Sequence, residues 1–323
     1  MSDARQAVAH AHLGMMVWAL IVGLSFPAVG LITEGLPPLL LTAIRFAIAT
    51  LAICPLVWRN PDFLPSLPGL ALYALMGLCL AGFFGTMFWA AHHTTALSMA
   101  TLYVGVPLLA YSLGRGLGVE QRAGQLLSIL VLGAVGALAI AWVEAVGQGR
   151  TGMQFGAGEA AFFIGCVASA LYPVLSKWGL GREWLSPNAA LRTLWSLLTG
   201  SVLIGLLGLT WEAPQALAVM TLSDALLVAY LGVFSSGVTF WLQQRATAVL
   251  TPAAVTAYSY LAPFVSMLIL FIGEPQRVGW HWLPGSLLVL LAIALLLRRD
   301  VGQRKGRLPL GAPARMRQPQ FGK

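Results

Sequence analysis

The sequence predicts an all-α membrane protein: ten transmembrane helices forming two inverted five-helix repeats around a central cavity. Three observations carry that prediction. They are an apolar composition, ten apolar segments of membrane-spanning length, and a set of motifs that recurs halfway along the chain. Of 323 residues, 58% are hydrophobic and 9% charged, against roughly 25% charged in soluble domains. A soluble core cannot hide so much apolar surface. A bilayer about 30 Å thick can, and crossing it takes roughly 20 helical residues.

Segments of that kind run near 13–33, 36–57, 68–90, 96–114, 124–143, 158–178, 188–209, 223–243, 250–272 and 281–297. The connections are too short to hold a soluble domain. The first segment is longer than a signal-peptide core and no small-x-small cleavage site follows it, so it reads as a retained span. The chain therefore divides into an N-terminal segment (1–12), a first repeat (13–143), a second repeat (158–297) and a basic, Pro/Gly-rich disordered tail (298–323) that faces lipid headgroups. Cys54, Cys79 and Cys166 all fall in apolar runs and read as buried free thiols.

Ten spans put both termini on one side. With that side in the cytoplasm, fifteen of the nineteen Lys and Arg lie inside: Arg5, Arg59, Arg115, Arg122, Lys177, Arg182, Arg245 and the eight from Arg298 onward. Arg150 and Arg277 lie outside, and Arg45 and Arg192 within spans. That is the positive-inside pattern, and it makes both termini cytoplasmic. The net charge of +8 thus reports topology, and no nucleic-acid partner is expected.

The halves repeat one another. "LSFPAV" around Pro27 matches "ALYPVL" around Pro173, and "FWAAHHTTA" (88–96) lines up with "FWLQQRATA" (240–248). Gly77 and Gly82 match Gly232 and Gly237; Arg45 matches Arg192; Pro107 followed by Glu120 matches Pro263 followed by Glu274. Five spans per half is an odd number, so the second half enters from the opposite side. Inverted repeats of this kind place a substrate site near mid-membrane, beside helices interrupted by Gly or Pro. Pro27, Pro107, Pro173 and Pro263 are accordingly the candidate hinges.

Polar and aromatic positions mark the expected pathway. Pro252, Thr256, Ser259, Pro263 and Ser266 share one face of span 9, and Ser98, Thr101, Gly105 and Ser112 one face of span 4. Thr239 sits on the matching stripe of span 8. Rings crowd the same stretches, and Tyr103, Tyr172, Tyr258 and Tyr260 lie deep enough that each phenol needs a partner. The candidate substrate-binding set is Phe26, Phe84, Trp89, Thr101, Tyr103, Tyr172, Thr239, Tyr258, Ser259 and Tyr260. An aromatic cavity with few charges suits an amphipathic or aromatic solute rather than phosphate or a metal ion.

No acidic residue stands at a span centre. His92 and His93, at the outer end of span 3, are the candidate proton or gate residues, and transport is expected to be facilitative or weakly proton-coupled. Arg45 and Arg192 are costly inside a membrane; a structural role is expected first and binding of a substrate carboxylate second. The spans carry no HExxH, GxSxG or GxxxxGK[ST] motif, so no catalytic residue, metal or cofactor is expected and an enzyme reading is disfavoured. A channel is the other rival, separable by saturable flux with counterflow.

The ten spans, the halved repeat, the Pro-then-Glu ends of spans 4 and 9 ("FIGEPQRVGWHWLPG") and the paired arginines resemble the EamA-type drug/metabolite transporter superfamily over all but the tail. The chain also looks like the bacterial aromatic amino-acid exporters of that superfamily, the YddG type. The resemblance implies a basket of spans 1, 3, 4, 6, 8 and 9, with spans 5 and 10 as peripheral props and the two halves rocking in alternating access. It implies an inner-membrane exporter of neutral and aromatic amino acids, with drugs or other small metabolites as the alternative cargo. A monomer is expected; Gly133 and Gly136 in span 5 provide a candidate contact if a dimer forms.

Overall fold

In the computed structural model, residues 3–121, 123–147, 156–273 and 279–303 are described, apart from the side chains of Asp3, Ala4, Phe26, Leu270 and Gln303. Arg122, Arg150, Glu274, Arg277 and tail residues 304–323 lie outside that set. Among the described residues, ten helices are long and apolar enough to cross a membrane: α1 (Arg5–Gly30), α2 (Pro38–Val57), α3 (Leu67–Ala91), α4 (Ala96–Gly116), α5 (Gly124–Gly147), α6 (Ala157–Gly181), α7 (Ala189–Trp211), α8 (Leu222–Val249), α9 (Pro252–Gly273) and α10 (Trp280–Gly302). The all-α membrane architecture read from the composition is the one the chain adopts.

Two ends differ from the hydropathy reading. α1 begins well before residue 13, because Val8, Ala11, Met15 and Ala19 are buried at helical spacing and carry the intervening polar residues with them. α10 likewise runs past residue 297 to include Arg299 and Asp300.

Capping explains where several helices start. Ser66, Thr95, Asn188 and Thr251 each accept a backbone N–H from the first turn of α3, α4, α7 and α9. α2 opens behind two prolines with no such cap. Its free amides at Leu39 and Leu40 donate instead to the Glu212 carboxylate, at 2.8 and 2.9 Å. Asp224 closes a capping box with Thr221 at the start of α8 and accepts Thr33 N at 2.9 Å. Glu159 accepts Gly156 N at 2.8 Å ahead of α6 and the Thr94 hydroxyl. Glu120 accepts Ala253 N at the start of α9. Four carboxylates thus sit where helix dipoles favour negative charge.

α4 and α9 are interrupted at matching places. α4 is two helical pieces, Ala96–Val104 and Val106–Gly116, meeting at Gly105. α9 runs Pro252–Thr256, then a 3₁₀ turn at Ala257–Tyr260, then Leu261–Gly273. The cause is Pro107 and Pro263, which lack an N–H for the preceding turn and clash with its carbonyl. α8 carries a π-helical stretch at Leu231–Val238, of the kind that often marks functional sites. α1 and α6 pass through Pro27 and Pro173 without a break. Pro27 is exposed near the end of its helix, whereas Pro173 is buried.

The packing matches a repeat of five. α1 packs on α8 and α9, as α6 packs on α3 and α4; α2 packs on α8, as α7 packs on α3; and α2–α7, α4–α9 and α5–α10 pair directly. Small residues make these approaches possible. A Cβ at Gly77 would lie 2.7 Å from the Gly200 amide of α7, and one at Gly232 would lie 2.8 Å from Ile48 of α2. Gly77 and Gly232 therefore serve helix contact. Gly136 and Gly285 close α5 on α10: a Cβ on either would stand 2.9 Å from the other's carbonyl oxygen. The α5 glycines, candidates for contact between protomers, are thus engaged within one chain. All three cysteines are free thiols.

Candidate functional site

The interior is joined by a run of rings. Tyr172 on α6 meets Phe240 on α8 edge-on at 5.6 Å; Phe240 meets Phe46 on α2 at 5.9 Å; Phe46 meets Phe84 on α3 at 5.4 Å. Phe84 meets Phe83 at 5.2 Å, and Phe83 meets Tyr103 on α4 at 5.8 Å. Most of these are T-shaped contacts, in which the positive edge of one ring meets the negative face of the next. Five helices from both halves contribute, and Phe84, Tyr103 and Phe240 remain half-buried.

Two cavities open on other positions of α3, α4 and α6, three of the helices that carry these rings. One, of about 380 Å³, is lined by Gly82, Gly85, Thr86 and Trp89 of α3, Ala161 of α6 and Trp211 of α7. The other, of about 310 Å³, is lined by Thr101, Gly105, Leu108 and Ser112 of α4 with Phe163 of α6. Thr101, Gly105 and Ser112 of the α4 stripe read from the sequence thus face open space, whereas Ser98 is buried. Both volumes fall at the small end of ligand pockets.

The predicted binding residues do not all gather in one place. Phe84, Tyr103 and Tyr172 belong to the ring run, whereas Trp89 lines one cavity and Thr101 the other. Thr239 is buried in α8, and its hydroxyl donates to the Ser235 carbonyl at 2.5 Å. Tyr258, Ser259 and Tyr260 fall elsewhere, fully buried on the 3₁₀ turn of α9. Tyr258 faces His12 of α1, and the Tyr260 ring presses on Gly133 of α5. The side chain of Phe26 lies outside the described set. His92 and His93 are exposed; His93 stacks on Trp89 with ring centroids 4.0 Å apart.

The paired arginines have different surroundings. Arg192 is fully buried and saturated: it donates to the Gln244 side chain at 3.1 Å, the Gln244 carbonyl at 2.7 Å and the Ser186 carbonyl at 2.6 Å. Gln244 in turn accepts from Ser176 at 2.6 Å and donates to Tyr172 at 2.8 Å, and Tyr172 meets Ser196 at 2.9 Å. Among the described residues, Arg45 donates to Ser235 and Ser236 on the π-helical stretch, at 3.3 and 3.5 Å, and its Nε is buried without a hydrogen-bond partner.

Sequence reasoning missed a second buried polar group. His12, Tyr258, Arg299 and Asp300 meet where α1, α9 and α10 converge, beside Glu120. Burial holds the Glu120 carboxyl up at about 7. The signal for His12 was available: it follows Ala11 on the buried face of α1. Its partners were not, because they are 246 and 288 residues away.

Residues 156–298 match the model of the EamA-like transporter family. Over 297 residues the chain is 25% identical to the uncharacterized inner membrane transporter YedA of Escherichia coli K12, covering 91% of this chain and 92% of that one. The same protein from E. coli O6:H1 and O157:H7 matches equally. A crystal structure 17% identical in sequence superposes with a TM-score of 0.71, covering 90% of this chain and 97% of that one, so the fold is shared. The second half of this ten-helix membrane protein is thus similar to the EamA-like transporter family.

Proposed function

We propose that the protein is an inner-membrane transporter that exports small amphipathic metabolites, neutral and aromatic amino acids foremost, by alternating access of its two halves. The observation that supports this reading is the ring run from Tyr172 to Tyr103, which joins five helices of both halves. Rings at such a junction offer contacts to an apolar or aromatic side chain. Carboxylates are placed elsewhere: Glu120, Glu159, Glu212 and Asp224 hold helix N-termini. Arg45, sparsely bonded beside the π-helical stretch, supplies the charge that a substrate carboxylate would seek.

The interrupted helices α4 and α9 supply the deformable elements for rocking, since their backbone hydrogen bonds are already incomplete at Pro107 and Pro263. The export direction and cytoplasmic termini follow the family likeness and the charge distribution. Efflux of other small apolar metabolites is the second reading, favoured by the almost wholly apolar wall of the cavity at Trp89 and Trp211.

Ligand-dependent thermal stability tests the substrate class without any assumption about direction. A ligand that binds only the folded protein raises its unfolding midpoint. Phenylalanine is expected to raise it and glutamate to leave it unchanged, with the phenylalanine effect lost in Phe84→Ala and Tyr103→Ala. Equal stabilisation by both amino acids would refute the aromatic preference.

A further inference from the structure

At the end of the bundle that carries both termini, one histidine touches three elements. His12 of α1 is 1% exposed. Its Nδ1 lies 2.8 Å from the Tyr258 hydroxyl of α9, and its Nε2 lies 3.5 Å from an Asp300 oxygen of α10. Asp300 also accepts from Arg299 at 2.9 Å. Glu120, on the α4–α5 connection, is 6% exposed and feels both Arg299 and Asp300. Other charged groups stand on the neighbouring helices. Arg298 is exposed, and Arg245 of α8, also exposed, lies over Trp241 at 5.5 Å. On α1 itself, His10 is exposed and Arg5 is half-buried.

Two features set this cluster apart from the Arg192 network. It ties the first half to the second, α1 to α9 and α10, and it is incompletely satisfied: among the described residues, His12 Nε2 and Arg299 Nε are buried without a hydrogen-bond partner. A group kept only to fill space there would pack better as an apolar residue. Histidine is also the side chain whose charge ordinarily changes between pH 5 and 8.

We propose that His12 is a proton-binding site that latches the end of α1 to α9 and α10, so that a proton taken from the adjoining aqueous phase governs opening of the pathway at this end. In the neutral form, the Tyr258 O–H donates to Nδ1 and Nε2–H faces the Asp300 carboxylate. An incoming proton bonds to the Nδ1 lone pair. The Tyr258 hydroxyl turns to accept from the new N–H, and the imidazolium faces the carboxylate. No covalent bond breaks, and hydrogen bonds between charged partners are the stronger kind. Protonation therefore tightens the latch, and its loss releases it. The consequence for flux rests on the transporter reading; the latch itself does not.

The test uses the full-length protein in lipid nanodiscs, without substrate, so that its failure is separate from any failure of the substrate assignment. Native cysteines are replaced, and spin labels are placed at Gln6 and Gly302; both are exposed, and no described residue lies within 4 Å of a Cβ at Gly302. Between pH 5.5 and 8.5, a range that spans ordinary histidine titration, the longer-distance population is expected to grow at least ~3-fold. His12→Gln is expected to abolish that dependence, Asp300→Asn to weaken it, and Glu120→Gln to preserve it. A distribution in the unsubstituted chain that does not change with pH overturns the proposal, whether or not any variant folds. So does a dependence that survives in His12→Gln, or one that disappears in Glu120→Gln alone.

Discussion

Replacing Gln244 by leucine tests the buried polar network around Arg192. Gln244 accepts from Arg192 and Ser176 and donates to Tyr172, all in full burial. Leucine removes all three bonds and leaves a buried guanidinium N–H without its acceptor. A hydrogen bond to a charged group is worth about 1.5–3 kcal/mol and a neutral one about 1. The expected loss is therefore roughly 3–5 kcal/mol, the range found when one partner of a buried charged pair is removed. Arg192→Met behaves differently. It strips donors from three acceptors but also removes the charge and its desolvation penalty, so its loss is expected to be smaller, about 1–3 kcal/mol. The double variant should be less damaging than the sum of the two, because the stranded charge is gone. The assay is the thermal unfolding midpoint in detergent, followed by tryptophan fluorescence, with Gln244→Leu lowering it by roughly 10 °C. If Arg192→Met proves the worse variant, or if the two effects simply add, the reasoning about an uncompensated buried charge is refuted.

Three further outcomes are expected. Gly136→Leu should split α5 from α10 and lower the yield of monodisperse protein, since even a Cβ there stands 2.9 Å from the Gly285 carbonyl; Gly30→Ala, with nothing within 4 Å, should be silent by size-exclusion chromatography. Glu120 titrates near 7 in the fold, above the ordinary carboxylate value of 4.5. The fold therefore favours its neutral form: stability is fully present below pH 4.5 and falls as pH rises through 7. Glu120→Gln should flatten that slope in thermal denaturation measured across pH. Phe84→Ala and Tyr103→Ala should each reduce phenylalanine flux by about 10-fold, the loss of roughly 1.4 kcal/mol of contact energy, while the thermal midpoint shifts less than in Gln244→Leu.

Much of the fold was legible because membrane spans declare themselves locally. Twenty apolar residues in a row have few soluble alternatives, and caps such as Thr95 and Thr251 sit beside the helices they start. The interruptions of α4 and α9 were likewise visible in Pro107 and Pro263. The ends of α1 and α10 were not, because hydropathy stops at the first polar residues while the buried face of the helix continues through Val8 and Ala11.

The candidate site was only partly readable. Spacing put Thr101, Gly105 and Ser112 on one face, and that face does border a cavity. Spacing could not say that Tyr258 and Tyr260, two residues apart on a 3₁₀ turn, point at α1 and α5. Nor could it separate the two arginines. Arg45 and Arg192 occupy matching positions in the two halves of the sequence, yet one donates to Gln244 and Ser186 while the other, among the described residues, donates to two serines. That difference depends on the partner helix, which no local pattern records. Phe46, which links the rings of α3 and α8, was overlooked for the same reason: in sequence it is one more apolar residue in an apolar span.

The most direct test of the central claim is efflux of radiolabelled phenylalanine, threonine and glutamate from preloaded proteoliposomes, with and without a pH gradient. Rapid, saturable phenylalanine efflux that excess unlabelled aromatic amino acid blocks, with glutamate retained, is the result expected. Absence of flux for every amino acid under both conditions would contradict the substrate assignment and leave the ten-helix fold to be matched with another cargo.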